Sequence, residues 1–264
     1  MEEAGSFGHV YSSNRFKRKI QKIYDDSHQN YGAPKIATEL RKSGETIAEK
    51  TVGNYMRQMG IKAQWIKPYT QTTIDSDLSQ ELKNILNEKF NPEHPDAVWC
   101  SDITYIWTYE GFVYLTSIMD LYSRKIISWV LSETLEASHV VKCIEKAKQS
   151  RHIENPLIFH CDRGCQYVSE AFHKATEGMI HSYSKKAYPW DNACIESFHA
   201  LLKREWINRF KIFNYTHAYK LIFEYIETFY NTVRIHSHCG YLSPNEYEEQ
   251  YLKNLETTVT SLAS

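Results

Sequence analysis

At 264 residues, 42% of them hydrophobic and 14% aromatic, the chain can bury a sizeable core, and its composition excludes wholesale disorder. No apolar run approaches the roughly 20 residues that cross a bilayer, so a helical membrane protein is excluded. The opening stretch MEEAGSFGHVYSSNRFKRKI also lacks the basic-then-apolar order of a secretory signal, and a cytoplasmic location is expected. The net charge of −1 hides a segregation, with +5 over residues 1–70 and −5 over residues 71–160. That is the profile of a basic amino-terminal module beside a neutral or acidic one. Six scattered cysteines suit reduced thiols better than a disulfide framework. His160, Cys161 and Cys165 have no second pair at zinc-site spacing.

Apolar residues at helical spacing (Phe16, Ile20, Ile23, Tyr24) predict a basic amphipathic helix over 14–28. Pro34 opens a second helix carrying Ile36 and Leu40. Gly44 turns the chain into a third, for which Thr46 and Glu49 read as a capping box ahead of Val52, Tyr55 and Met56. Lys50, Asn54 and Arg57 fall on the polar side of that helix. Residues 1–67 therefore read as a small all-α, helix-turn-helix-like prelude that meets DNA through these three side chains, or as a small bundle with a solvated basic face.

Residues 68–78, PYTQTTIDSDL, are polar and aperiodic and predict a linker, which a short helix over 79–87 extends to residue 90. Three β-branched and aromatic runs, 98–108, 112–122 and 125–131, then read as strands. Turns at Glu110-Gly111 and Ser123-Arg124 are short enough to make both connections antiparallel hairpins. A helix over 137–150 leads to a fourth strand, 157–160, which can lie parallel to the first. A helix over 169–177, a strand over 180–184 and long helices over 191–210 and 216–231 follow. The order βββαβαβ predicts an α/β domain over 91–236, a ribonuclease-H-like mixed five-stranded sheet flanked by helices, followed by a carboxy-terminal tail over 237–264.

Three acidic residues stand where this architecture gathers the chain. Asp102 lies in the first strand, Asp162 follows the fourth, and Glu196 lies on a helix. If the first and fourth strands are neighbours, the aspartates become spatial partners. A carboxylate in a sheet-favouring run is costly unless something positive compensates it, and a divalent cation would do so. Ile195, Phe198, Leu202 and Trp206 form the apolar stripe of the helix, and Glu196, His199 and Lys203 share a neighbouring face. Glu196 can then face the aspartates while Lys203 reaches for a phosphate; on spacing alone the same face also reads as exposed, with an ordinary ion pair. Cleavage of a phosphodiester needs charge stabilised on entering and leaving oxygens, which two Mg²⁺ ions about 4 Å apart accomplish, with Mn²⁺ as a substitute.

The segments WCSDITYI (99–106), YLTSIMDLYSRKIISW (114–129), FHCDRGCQY (159–167), SKKAYPWDNACIESFHALLKRE (184–205) and YNTVRIHSHCGYLSPNEY (230–247) occur in one order. Together they resemble the second-reading-frame catalytic protein of the insertion-sequence-three family of transposases, which shares the retroviral integrase core. Residues 31–60, from YGAPKIATEL to VGNYMRQMG, resemble its helix-turn-helix-like prelude. The resemblance implies a DDE enzyme that cuts one strand at an element end and joins the exposed 3′-hydroxyl to another DNA. Asp102, Asp162 and Glu196 match the acidic triad, and Lys203 matches a basic residue expected near the terminal phosphates. His199 is grouped with Lys203 as a DNA contact. Tyr230, Asn231, Arg234, His236 and Ser237 match a carboxy-terminal motif for DNA contact or helix packing, with Arg234 assigned to DNA.

Implied partners are double-stranded DNA of the element ends and target, an upstream-frame protein or a frameshift fusion with it, and further copies of the chain on DNA. In one respect the pattern is broken: 33 residues separate Asp162 from Glu196, two fewer than is usual in the family. The loss falls near 175–181 and predicts a shortened helix end with the triad intact. The alternatives are an inactive or domesticated DNA-binding protein that keeps the fold, and a nuclease that cuts without joining.

Overall fold

The computed structural model describes residues 3–63, 82–151, 153, 156–185 and 188–262. The chain divides into two compact units, Met1–Pro68 and Tyr69–Ser264. The segment expected as a linker, 68–78, lies outside the described residues.

The first unit holds three helices, α1 (Glu3–Asp26), α2 (Ala33–Lys42) and α3 (Glu49–Gln58). Each contributes one apolar stripe to a small core, namely Ile20 and Tyr24, Ile36 and Leu40, and Val52 and Met56. Gly44, at φ +84°, supplies the turn between α2 and α3. The expected capping box does not form, because α3 starts behind Ala48 with no side-chain cap. Ile47 is the reason: its side chain is buried, and its carbonyl accepts from Arg41 Nε at 3.1 Å. Docking Ile47 keeps the backbone extended through Ala48 and delays the helix. Lys50, Asn54 and Arg57 are exposed along α3, and Arg57 donates to Asn54 Oδ1 at 2.8 Å.

The second unit runs β1 (Val98–Thr108), β2 (Gly111–Asp120), β3 (Ile126–Ser132), α4 (Ala137–Ser150), β4 (Ile158–Cys161), α5 (Glu170–Ala175), β5 (Ile180–Tyr183), α6 (Ala193–Glu205), α7 (Tyr215–Phe223) and α8 (Pro244–Leu262). The strand order is β3-β2-β1-β4-β5. The first three strands form an antiparallel meander, and β4 and β5 add in parallel. This is the ribonuclease-H-like mixed sheet expected from the sequence. On one face α4 and α5 bring Val140, Ile144 and Phe172 against Trp99, Ile118, Val130 and Phe159. From the other face α6 packs on β1 and β2 and buries Ile195, Phe198 and Leu202.

Several elements differ from their expected form. Residues 82–87 form no helix, and 79–81 lie outside the described residues. The amides of Ile85 and Leu86 both donate to Ser182 Oγ at 2.9 Å, and that of Asn87 to Asn84 Oδ1 at 2.8 Å, so they are drawn away from a helical ladder. The long helix expected over 191–210 is a 3₁₀ turn, then α6, then a second 3₁₀ turn. It breaks at Trp206, which leaves helical geometry (φ −137°, ψ −69°) as its indole stacks on Phe229 at 6.2 Å. Past α7 the chain widens into π-helical turns over Glu224–Tyr230. The segment expected as a tail carries α8. Ser243 and Glu246 make a capping box there: the Ser243 amide donates to Glu246 Oε2 at 2.7 Å and the Glu246 amide to Ser243 Oγ at 3.3 Å.

Arg234 is the clearest correction to the expected DNA contacts. It is buried, and its Nε and Nη2 donate to the two oxygens of the equally buried Glu205, each at 2.7 Å. Its neighbours in the carboxy-terminal motif also point inward. Asn231 exchanges two hydrogen bonds with the backbone of Ile126 at the start of β3, and Tyr230 donates to the Arg124 carbonyl at 3.0 Å. Removing one partner of such a pair strands a buried charge. Arg234→Ala is therefore expected to destabilise the protein by about 3–5 kcal/mol in urea unfolding. Arg57→Ala, on the exposed face of α3, is expected to stay within about 0.5 kcal/mol. Equal effects of the two substitutions would contradict the internal role of Arg234.

Candidate active site

Two aspartates are juxtaposed by backbone register alone. In the parallel ladder Ser101 pairs with Cys161, so Asp102, the next residue within β1, and Asp162, the first residue past β4, stand side by side. Both line one cleft, together with Tyr105, Tyr114, Leu135 and Gln166. The Asp162 carboxylate accepts the Gly164 amide at 2.9 Å. Glycine suits that tight turn, since a Cβ there would lie 3.1 Å from Asp162 Oδ1 and 3.2 Å from Gln166 Oε1.

Glu196 enters from the first turn of α6. Burial, then the charges of Asp102 and Asp162, push its carboxyl up to about 7. Glu196 therefore feels both aspartates, and no Lys, Arg or His among the described residues ion-pairs with it. Asp102 and Asp162 line the cleft and Glu196 lies near enough to feel both, but no three His, Cys, Asp or Glu side chains among the described residues stand close enough to share one ion. The donors themselves are hard oxygens, the kind that suits Mg²⁺ or Mn²⁺.

The helix that presents Glu196 is pinned at both ends. Ahead of it, Ser182 Oγ already accepts two backbone amides, so its proton goes to His160 Nδ1 at 3.0 Å. His160 Nε2 then donates to the Asp191 carbonyl at 2.9 Å. Burial holds His160 down at about 4, which keeps it neutral in this role. The Asp191 carboxylate accepts the Lys185 amide at 2.7 Å and Asn84 Nδ2 at 2.8 Å. At the far end Glu205 is held by Arg234 and by the Tyr225 hydroxyl at 2.9 Å. His160, Asp191 and Glu205 are positioning residues that spacing did not reveal, because each acts through a partner distant in sequence.

His199, expected at DNA, is buried instead. Its Nδ1 lies 3.3 Å from Asp102 Oδ2 and its Nε2 lies 3.3 Å from Ser117 Oγ, so it braces the first aspartate against β2. Lys203 does reach the cleft edge. Its ammonium stands 4.7 Å from the Tyr105 ring centre; burial lowers its pKa and Asp102 opposes that shift. The ordinary reading of this helix face, an exposed surface with a local ion pair, does not describe it.

Comparison with known proteins agrees with this fold. Residues 12–69 match the model of an HTH-like domain, and residues 92–189 and 177–244 match two models of the integrase core domain. The chain is 36% identical over 233 residues to the transposase for insertion sequence element IS904 of Lactococcus lactis, covering 88% of this chain and 92% of that protein. It is 34% identical to transposase InsF for insertion sequence IS3A of Escherichia coli, covering 86% and 79%. Among solved structures it is similar to a chain of the simian T-cell lymphotropic virus intasome in complex with PP2A regulatory subunit B56 gamma. That likeness has 15% identity and a TM-score of 0.48, covers 87% of this chain and 74% of that one, and is too remote to bear on the assignment. The fold and the relatives define an integrase-core transposase. The chain belongs to the IS3 family of insertion-sequence transposases, and its function is DNA transposition.

Crowded like charge has a measurable consequence. Glu196→Gln removes one charge from the cleft and is expected to raise the melting temperature at pH 8, without added divalent cation, by roughly 2–4 °C. An unchanged or lower melting temperature by circular dichroism would mean that the repulsion is relieved by other groups.

Proposed function

We propose that Asp102, Asp162 and Glu196 are the DDE triad of this transposase and hold two divalent cations, Mg²⁺ with Mn²⁺ as a substitute. One observation carries the reading. The register that places Asp102 beside Asp162 also leaves both close enough to Glu196 to raise its carboxyl. Divalent cations bound there supply Lewis acidity toward the entering hydroxyl and the leaving 3′-oxygen of a phosphodiester. The protein's own part is positional. His199 fixes the orientation of Asp102, the pinned α6 fixes Glu196, and Lys203 offers a cation to a phosphate at the cleft edge. Strand cleavage and strand transfer then use one site, because water and a DNA 3′-hydroxyl are interchangeable nucleophiles.

The exposed Lys50, Asn54 and Arg57 on α3 are the proposed DNA-facing surface of the HTH-like unit. The upstream-frame protein, separate or fused, and further copies of this chain complete recognition of the element ends in this reading.

Labelled element-end DNA with Mg²⁺, with and without the upstream-frame protein, provides the test. Cleaved and joined products are expected, and Asp102→Asn, Asp162→Asn and Glu196→Gln should each lower joining by about a hundredfold to a thousandfold. Cleavage without joining would favour a nuclease, and binding alone an inactive relative. Joining that survives these substitutions would remove the triad from the mechanism. In a separate binding assay, Lys50→Ala or Arg57→Ala should weaken DNA affinity and lower the magnitude of its salt dependence by about one charge. A salt dependence identical to that of the unaltered protein would exclude phosphate contact by those residues.

A further inference from the structure

The β1–β2 hairpin overhangs its sheet. β4 pairs with β1 only as far as Ser101 and Cys161, so beyond that point β2 is the only strand beside β1 among the described residues. One face of the overhang is a row of rings: Tyr105 and Trp107 on β1 stand in register with Tyr114 and Phe112 on β2. Trp107 is 60% exposed, and Tyr105 and Phe112 are each 48% exposed. The Phe112 ring is edge-on to both neighbours, 5.3 Å from Tyr105 and 4.9 Å from Trp107. The solvated face of an antiparallel hairpin is ordinarily polar, and an apolar patch on such a face marks a binding surface.

The row is continuous with the reaction centre. Tyr105 and Tyr114 line the same cleft of about 170 Å³ as Asp102 and Asp162. Lys203, from α6, sets its ammonium 4.7 Å from the Tyr105 ring centre. Carboxylates thus lie at one end, a cation at the edge, and aromatic rings lead away.

We propose that this row is a stacking platform for unpaired nucleobases of the DNA strand whose phosphodiester sits at Asp102 and Asp162. The inference rests on the catalytic placement proposed above. A strand that sinks a phosphate into the cleft carries its flanking nucleotides across Tyr105 toward Phe112 and Trp107. Bases of any sequence stack on such rings, and Lys203 meets the strand's negative charge. A protein partner would match the apolar rings but leave Lys203 and the adjoining cleft unused, so a polyanion with flat apolar groups is the better complement.

The test uses the full chain and a short single-stranded oligonucleotide carrying 2-aminopurine, whose fluorescence falls on stacking, in buffer without divalent cation. Unaltered protein should quench the probe. Trp107→Ala and Phe112→Ala should each weaken binding about fivefold or more and reduce the quenching. Trp107→Tyr should restore both effects, whereas Trp107→Leu, apolar but not flat, should not. Full quenching by Trp107→Ala, or equal binding by the Leu and Trp forms, would overturn the proposal. So would a change in sedimentation of Trp107→Ala with oligonucleotide binding intact, which would assign the face to contacts between copies. Asp102→Asn should quench at least as strongly as the unaltered protein, because it removes a negative charge beside the strand and leaves the rings in place. If it quenches and still joins DNA, the catalytic reading fails while the platform stands; loss of quenching only in the ring variants separates the two cases.

Discussion

Asp102, Asp162 and Glu196 stand close enough for their charges to oppose one another, and the sheet register and the anchoring of α6 hold them there. The charge of Asp102 and Asp162 felt by Glu196 is unfavourable in a partly desolvated site. Only His199, 3.3 Å from Asp102, ties one of those carboxylates to the helix that carries Glu196. The parallel β1–β4 ladder holds the two aspartates through backbone hydrogen bonds that cannot relax without loss of register. Glu196 is held by a rigid helix anchored elsewhere.

That anchoring explains the shape of the carboxy-terminal half. His160 and Asp191 fix the approach to α6, and the Glu205–Arg234 pair fixes its end. A buried ion pair contributes little net stability, yet its two-pronged geometry admits one arrangement, which suits a helix that must aim one carboxylate. α8 is anchored by the same kind of interaction. Glu248 takes Ser123 and Arg151 each at 2.7 Å and Lys125 at 3.1 Å, joining the β2–β3 turn to the end of α4.

The two units are built on different physics. The HTH-like unit presents exposed polar side chains on a short helix with a modest core, which suits reversible contact with a charged duplex. The integrase-core unit invests its buried polar groups in rigidity, which suits chemistry. Ahead of Glu196 the connection from α5 to β5 is tight. α5 ends at Ala175, Thr176 Oγ1 caps back to the Phe172 carbonyl at 2.8 Å, and Gly178 turns the chain into β5 at φ +85°.

The sequence by itself determined the order of the five strands and of the helices between them, because alternation and helical spacing record which face of each element is buried. It also placed Asp102 in one strand and Asp162 just past another that could be its neighbour, and Glu196, His199 and Lys203 on one helical face. Family motifs added which acidic residues to compare. Tertiary structure alone decided where polar side chains went. Arg234 looks like a cation within a motif, but its partner lies 29 residues away. His199 shares a face with Lys203, yet Ser117 and Asp102 draw it inside. Thr46 and Glu49 have the letters of a cap that Ile47 overrides by docking, whereas Ser243 and Glu246 have the same letters and use them. Periodicity is local and reports burial; hydrogen-bond and ion partners are chosen across the sheet, where only the folded chain brings the groups together.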